Sequence, residues 1–174
     1  SGLSDKDKFE LTKEIVNNST ADLLLFSGHT IGFVNEIEKL KTSITNKETE
    51  VIFELKDINT EKIKNCLYHI KNGEIQNLYT NQLFAESVEI ENNYQLADRL
   101  LYEFENKRKF NINKLSFLVI QCGEMNILKN IQSEENRVEF RLAEDEILNE
   151  RFLKILKETD VFLNPISRLG LYLR

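Results

Sequence analysis

Proline occurs once in 174 residues, glycine six times, and tryptophan not at all. With so few chain breakers, long stretches are free to be helical, and no Pro/Gly/Ser-rich linker divides the chain. Only two cysteines, Cys66 and Cys122, and two histidines, His29 and His69, are present. The cysteines lie far apart without a CxxC pattern, so two ordinary buried thiols in a reducing compartment are expected rather than a disulfide. A zinc site would have to gather both cysteines and both histidines from scattered positions, so neither metal nor cofactor is expected. No apolar run approaches the roughly 20 residues of a membrane span, and the polar start is unlike an export leader. An intracellular protein, cytoplasmic or nuclear, is the expectation. Basic charge is also short: 23 Lys+Arg stand against 29 Asp+Glu, a net charge of −6. Phosphate binding needs a basic face, so nucleic acid is not the expected partner. No Gly-rich phosphate loop of Walker or Rossmann type occurs.

What is present is a 41% hydrophobic fraction with 11 Phe, enough for a real core. Residues 5–17 read as a short helix capped by Ser4 or Asp5. Residues 21–26 and 29–34 read as two strands joined at Ser27-Gly28, a β-hairpin. Ile37, Leu40 and Ile44 have helical spacing. Residues 51–55 (VIFEL) form a third strand, and Ile63, Leu67 and Ile70 place a helix from Thr60 to the αL stop Asn72-Gly73. A brief fourth strand follows at 74–79. Leu83, Phe84, Val88 and Ile90 mark one helix, and Leu96, Leu100, Leu101 and Phe104 a second. Leu118, Cys122, Met125, Leu128 and Ile131 predict a helix within 115–131. Residues 138–142 are extended or loop, and 146–158 the last helix. Strands early and helices late predict an α+β fold, a three- to four-stranded sheet flanked by helices with a C-terminal helical extension.

That order resembles the BTB/POZ family, which includes the elongin-C-like proteins. The segment Leu23-Leu24-Leu25-Phe26-Ser27-Gly28-His29-Thr30-Ile31-Gly32-Phe33-Val34 is similar to the opening hairpin, and residues 37–43 to the helix ending in a small polar residue. The stretch VIFELKDINTEKIKNCLYHIKNGEI (51–75) is similar to the family's strand followed by a helix, with Leu67, Tyr68, Ile70, Asn72, Gly73 and Ile75 on the pattern and Lys71 where an aromatic is common. Residues 81–104 resemble the closing helical pair. The segment between Ser43 and Val51 is short, where typical members place a further helix used in cullin or dimer contacts. The resemblance implies an N-terminal helix (1–20), a BTB/POZ-like domain (21–109) and a tail (110–174) similar to a truncated BACK-type extension. It also implies a protein-interaction adaptor that self-associates, docks partner proteins and links a substrate to a cullin-type ubiquitin ligase.

On that reading the chain is a binding module rather than an enzyme, with contacts through Phe33, Ile37, Leu40, Phe84, Tyr94 and Leu101, and Leu3 and Phe9 packing across a two-fold axis. The alternative is a metal-dependent nuclease. Glu54-Leu55-Lys56 is similar to an ExK half-site with Asp22 upstream, since carboxylates would hold Mg²⁺ and a Lys would polarise the phosphate; alternation along a half-wet strand gives the same pattern. A third reading pairs His29 with Cys122, in FSGH and IQCG, as the base and nucleophile of a caspase-like protease; the bland counterpart is a buried thiol in an apolar stripe. Lys107-Arg108-Lys109 reads as a solvated helix end, and Glu144-Asp145-Glu146 as a favourable helix start.

Overall fold

The computed structural model describes residues 3–26, 36–57, 64–76, 81–131 and 137–165, without the side chains of 56, 57, 64 and 65. These residues form two compact units, one reaching to Asn81 and the other spanning Gln82–Asn164. Both mix helices with small sheets, so the α+β class holds. Among the described residues no helix is long and apolar enough to cross a membrane.

The first unit opens with α1 (Asp5–Asn17), where Ser4 Oγ accepts the Asp7 N–H at 3.2 Å as the N-cap. Its buried face is Phe9, Thr12 and Val16. The helix end is stitched to the 45–49 loop by amides: Asn17 Oδ1 accepts from Thr45 N at 2.8 Å, and Asn46 Nδ2 donates to Val16 O at 3.0 Å. Strands β1 (Leu23–Phe26), β2 (Glu50–Asp57), β3 (Lys64–Lys71) and β4 (Glu74–Gln76) form one sheet in that order, with α2 (Ile37–Ser43) between β1 and β2. Val51, Phe53, Leu55 and Ile70 bury one face against Phe9, Val16, Ile37 and Leu40.

β1 pairs in parallel with β2, Leu23 opposite Glu50; residues 27–35, which hold the second strand of the expected hairpin and Phe33 and His29, lie outside the described residues. One expectation fails here. Over 64–71 the expected helix is instead β3, antiparallel to β2 with Phe53 opposite Tyr68. Both faces of β3 are buried: Cys66 and Ile70 on one, Leu67 and His69 on the other. A strand buried on both sides has apolar residues at odd and even positions, and Leu67 with Ile70 then imitates a helical stripe. Asn72 (φ 54°) and Gly73 (φ 76°) both take the left-handed conformation, as a two-residue hairpin turn from β3 to β4 demands. The same dipeptide also ends helices, hence the misreading. The 51–75 segment on which the BTB/POZ resemblance leans is therefore strand–strand rather than strand–helix.

The second unit contains α3 (Ser87–Ile90), α4 (Tyr94–Asn106) and α5 (Glu146–Lys157), with α4 and α5 packed together. α4, expected to close the first domain, belongs here. A three-stranded sheet runs β5 (Lys109–Ile112), β6 (Leu115–Val119), β9 (Val161–Leu163), with β6 central, antiparallel to β5 and parallel to β9. β7 (Leu128–Asn130) and β8 (Val138–Phe140) make a separate antiparallel pair. The expected helix over 115–131 is thus β6, a 3₁₀ helix (Cys122–Ile127) and β7. Asn113 and Lys114, both at positive φ, turn β5 into β6, and the turn carries no glycine to announce it. The core gathers Leu100, Leu101, Phe104, Leu118, Ile120, Phe140, Phe152 and Ile155.

Candidate functional site

Most of the residues expected to dock partners are packing residues. Ile37, Leu40, Phe84 and Leu101 are at most 6% exposed: on α2 and α4 apolar helical spacing marks the face a helix turns toward its own core, while Phe84 lies ahead of α3, outside any helix, and joins the core of the second unit. Phe9 is buried as well. Tyr94 is the exposed one, its hydroxyl donating to Glu144 Oε1 at 3.2 Å.

Of the nuclease trio, Asp22 and Glu54 stand apart. Asp22 is exposed just ahead of β1, where its carbonyl accepts the Glu50 N–H at 2.9 Å. Glu54, 1% exposed, stands four residues further along β2, roughly 13 Å away at strand rise. The Lys56 side chain lies outside the described residues. Among the described residues no group of three His, Cys, Asp or Glu side chains could hold a metal ion.

The same face of β2 and β3 carries a buried polar group that sequence reading passed over. His69 Nε2 meets Glu50 Oε2 at 2.7 Å, and Lys71 Nζ meets Glu50 Oε1 at 2.6 Å. Burial holds the imidazole pKa below its ordinary 6.5, outweighing the hydrogen bond to Glu50 that favours protonation.

A denser constellation surrounds Cys122 in the second unit. The central strand β6 delivers the chain to Gln121, and Cys122 begins the 3₁₀ helix just beyond the carboxyl end of that strand, with its thiol free and exposed. The stripe reading of Cys122 as a core thiol is thereby corrected: after Val119 the backbone leaves the strand, and the residue faces solvent. Crevices at the carboxyl ends of parallel strands are where α/β sheets commonly place ligands, and β6 and β9 run parallel here.

Two residues beyond Cys122, Glu124 forms an ion pair with Arg108, both side chains fully buried. Arg108 is bidentate, Nη1 on Oε2 and Nη2 on Oε1, the latter at 3.0 Å. Glu124 also accepts backbone N–H groups from Leu83 (2.9 Å) and Gln121 (3.2 Å). Gly123 lets the 82–85 segment lie against the turn: a Cβ there would stand 2.5 Å from Ala85 Cα and 2.8 Å from Phe84 O, both backbone atoms. Asn126 Nδ2 adds bonds to Ala85 O (3.0 Å) and Gly123 O (2.9 Å). The result is a solvent-facing thiol on a turn whose backbone is fixed from below and from the side. Sequence reading placed Arg108 at a wet helix end and passed over Glu124; a single Arg inside a Lys-Arg-Lys triplet gives no sign of burial.

No protein-family model matches the chain, and comparison with curated proteins and with solved structures finds no match.

Two outcomes are expected. Glu124→Gln should lower unfolding stability in urea by about 3–5 kcal/mol, because it strands a buried guanidinium; adding Arg108→Met should recover part of that loss, since the amide oxygen still serves one backbone N–H. For His69, the unfolded chain takes up a proton near pH 6.5 while the folded one does not. The stability it contributes is therefore fully present above 6.5 and is lost as pH falls from there toward the lower folded value. Denaturation midpoints of the wild type should drop between pH 7.5 and 5.5 more than those of His69→Gln, and equal slopes would remove this group from the account.

Proposed function

We propose that the second unit performs thiol-dependent acyl chemistry with Cys122 as nucleophile. The observation that carries this is the exposed Cys122 thiol on a turn immobilised by the buried Arg108–Glu124 pair and the Gly123 contact. A reactive group held by rigid surroundings is what a covalent site requires. In such a reaction the thiolate attacks a carbonyl carbon. A C–S bond forms, the bond to the leaving group breaks, the leaving group departs with a proton, and water then cleaves the thioester to a carboxylate. This reading departs from the expectation of a non-catalytic module; the reason is that the thiol is exposed on a fixed turn. The expected base, His29, lies outside the described residues.

The test combines labelling with turnover. Iodoacetamide should alkylate Cys122 well ahead of buried Cys66, and aliphatic thioesters and p-nitrophenyl esters should leave a mass adduct on the Cys122 peptide. Cys122→Ser should reduce turnover by at least about 10²-fold. A Cys122 that alkylates no faster than a free cysteine and accumulates no acyl adduct would end the proposal.

A second reading keeps the BTB/POZ-type expectation of an adaptor that self-associates and, in that family, engages cullins. It is favoured by α1, where Leu11 and Ile15 stand one turn apart at 46% and 43% exposure, with Leu3 at 56% nearby. Helices paired across a two-fold axis would cover such a stripe. On this reading light scattering over a concentration series should show a dimer that Leu11→Lys with Ile15→Lys converts to monomer; a wild-type monomer at all concentrations removes it.

A further inference from the structure

The second unit contains a cleft of about 530 Å³, a volume in the range of small-molecule sites. Its walls are mostly hydrocarbon, and four phenylalanines contribute to them: Phe104, Phe140, Phe152 and Phe162. The first three belong to the core, Phe140 and Phe152 stacked with ring centroids 4.8 Å apart, whereas Phe162 is 46% exposed. Met125, Val138 and Leu153 line the cleft too and likewise stay exposed. Single exposed apolar residues need no explanation, but several converging on one concavity mark a binding surface.

Four polar residues complete the lining, and they narrow the occupant. Arg137 is already engaged by a partner, and Glu139 Oε1 is met by Lys129 Nζ at 3.3 Å. Neither charge therefore calls for a charged ligand. The other two are carboxamides, Asn149 on α5 and Asn164 directly after β9. Asn164 is placed by the sheet: the Ile120 N–H, just beyond β6, donates to Leu163 O at 2.9 Å. The side-chain oxygen of Asn164, Oδ1, is buried and meets no hydrogen-bond donor among the described residues. A buried carbonyl oxygen without a donor has lost its water and gained no replacement, which is why nearly all such groups in folded proteins are paired. What Oδ1 needs is a donor. The last torsion of an asparagine is broad and soft, so a rotation about χ2 turns this oxygen toward a donor held in the cleft.

We propose that the cleft binds a neutral aromatic molecule carrying one N–H or O–H donor, of the indole or phenol class, with the donor on Asn164 Oδ1 and the ring among the phenylalanines. Aromatic rings meet one another favourably in offset or edge-to-face arrangements, beyond the gain from area buried. An indole N–H donates and does not accept, which matches an acceptor that has no donor. The binding does not depend on thiol chemistry at Cys122.

Met125 is the single methionine of the chain, so ¹³C-methyl methionine labelling gives one resonance at the cleft, and a bound aromatic ring shifts it. The isomers 3-methylindole and N-methylindole have the same atoms and size, but only the first carries an N–H. The wild type should bind 3-methylindole more tightly by about fivefold, the net worth of one hydrogen bond. Asn164→Leu, which keeps the volume and removes the acceptor, should abolish the difference while still binding N-methylindole. Leu153→Glu, at an exposed position that leaves circular dichroism unchanged, should weaken both isomers by about tenfold or more. Octanol, a neutral donor without a ring, should bind more weakly than 3-methylindole by about threefold or more. The isomer comparison in the wild type needs no variant, so it decides even where Asn164→Leu does not fold. No saturable shift, equal affinity for the two isomers, a preference that survives Asn164→Leu in a folded variant, or octanol binding as tightly as 3-methylindole would each overturn the assignment.

Discussion

Taking a guanidinium and a carboxylate out of water together costs several kcal/mol per ion, and their attraction repays it only when geometry is good and the remaining hydrogen-bonding capacity is used. Arg108 and Glu124 sit at that limit, both fully buried. The carboxylate accepts two guanidinium nitrogens and two backbone N–H groups, those of Leu83 and Gln121. An apolar pair of the same volume would fill the space and leave both backbone donors without acceptors, each a loss of about 1–3 kcal/mol. The ion pair is therefore the form in which this interior can hold together three pieces of chain: the 82–85 segment, the residue that follows α4 and Lys107, and the turn after β6. The position of Cys122 follows from that junction.

Helix caps and amphipathic stripes were legible in the sequence wherever a segment had one wet face. α1 with Ser4 and α5 with Asp145 begin where their capping residues put them. Legibility ended where a strand is covered on both sides. β3 and β6 carry apolar residues at odd and even positions, and a period of two then cannot be told from 3.6 over seven residues. The turns that would have separated the cases are Asn72-Gly73, which serves a hairpin and a helix end alike, and Asn113-Lys114, whose lysine at positive φ has no sequence signature. Of the site, Cys122 was visible as a nucleophile type. Its exposure was not, because the stripe through Leu118, Met125 and Leu128 supplied a complete alternative explanation. Glu124 and Arg108 were invisible, since a charged residue is a surface residue by default and its burial depends on partners sixteen positions away.

Burial also explains why expected contact residues turned into core. Ile37, Leu40 and Leu101 are apolar at helical spacing, and that pattern reports the face a helix must hide from water. A surface offered to a partner has to depart from it. Leu11 and Ile15 do so on α1, standing apart from the Phe9/Thr12/Val16 face that packs inward.

α5 makes the same departure more fully. Leu148, Phe152 and Ile155 satisfy the core, which is all an amphipathic helix of three turns needs. Asn149, Leu153 and Leu156 then widen the apolar arc by a second stripe, and it faces a concavity whose other walls come from the 3₁₀ helix, β7, β8 and β9. A stripe that served only stability would close against those walls and leave no room, because interiors pack to the density of organic crystals. Here the walls stay apart around about 530 Å³. Water in contact with that much hydrocarbon is displaced favourably by any apolar group that fits, at about 25 cal/mol for each Å² covered. The second stripe is thus best understood as surface kept open for an occupant.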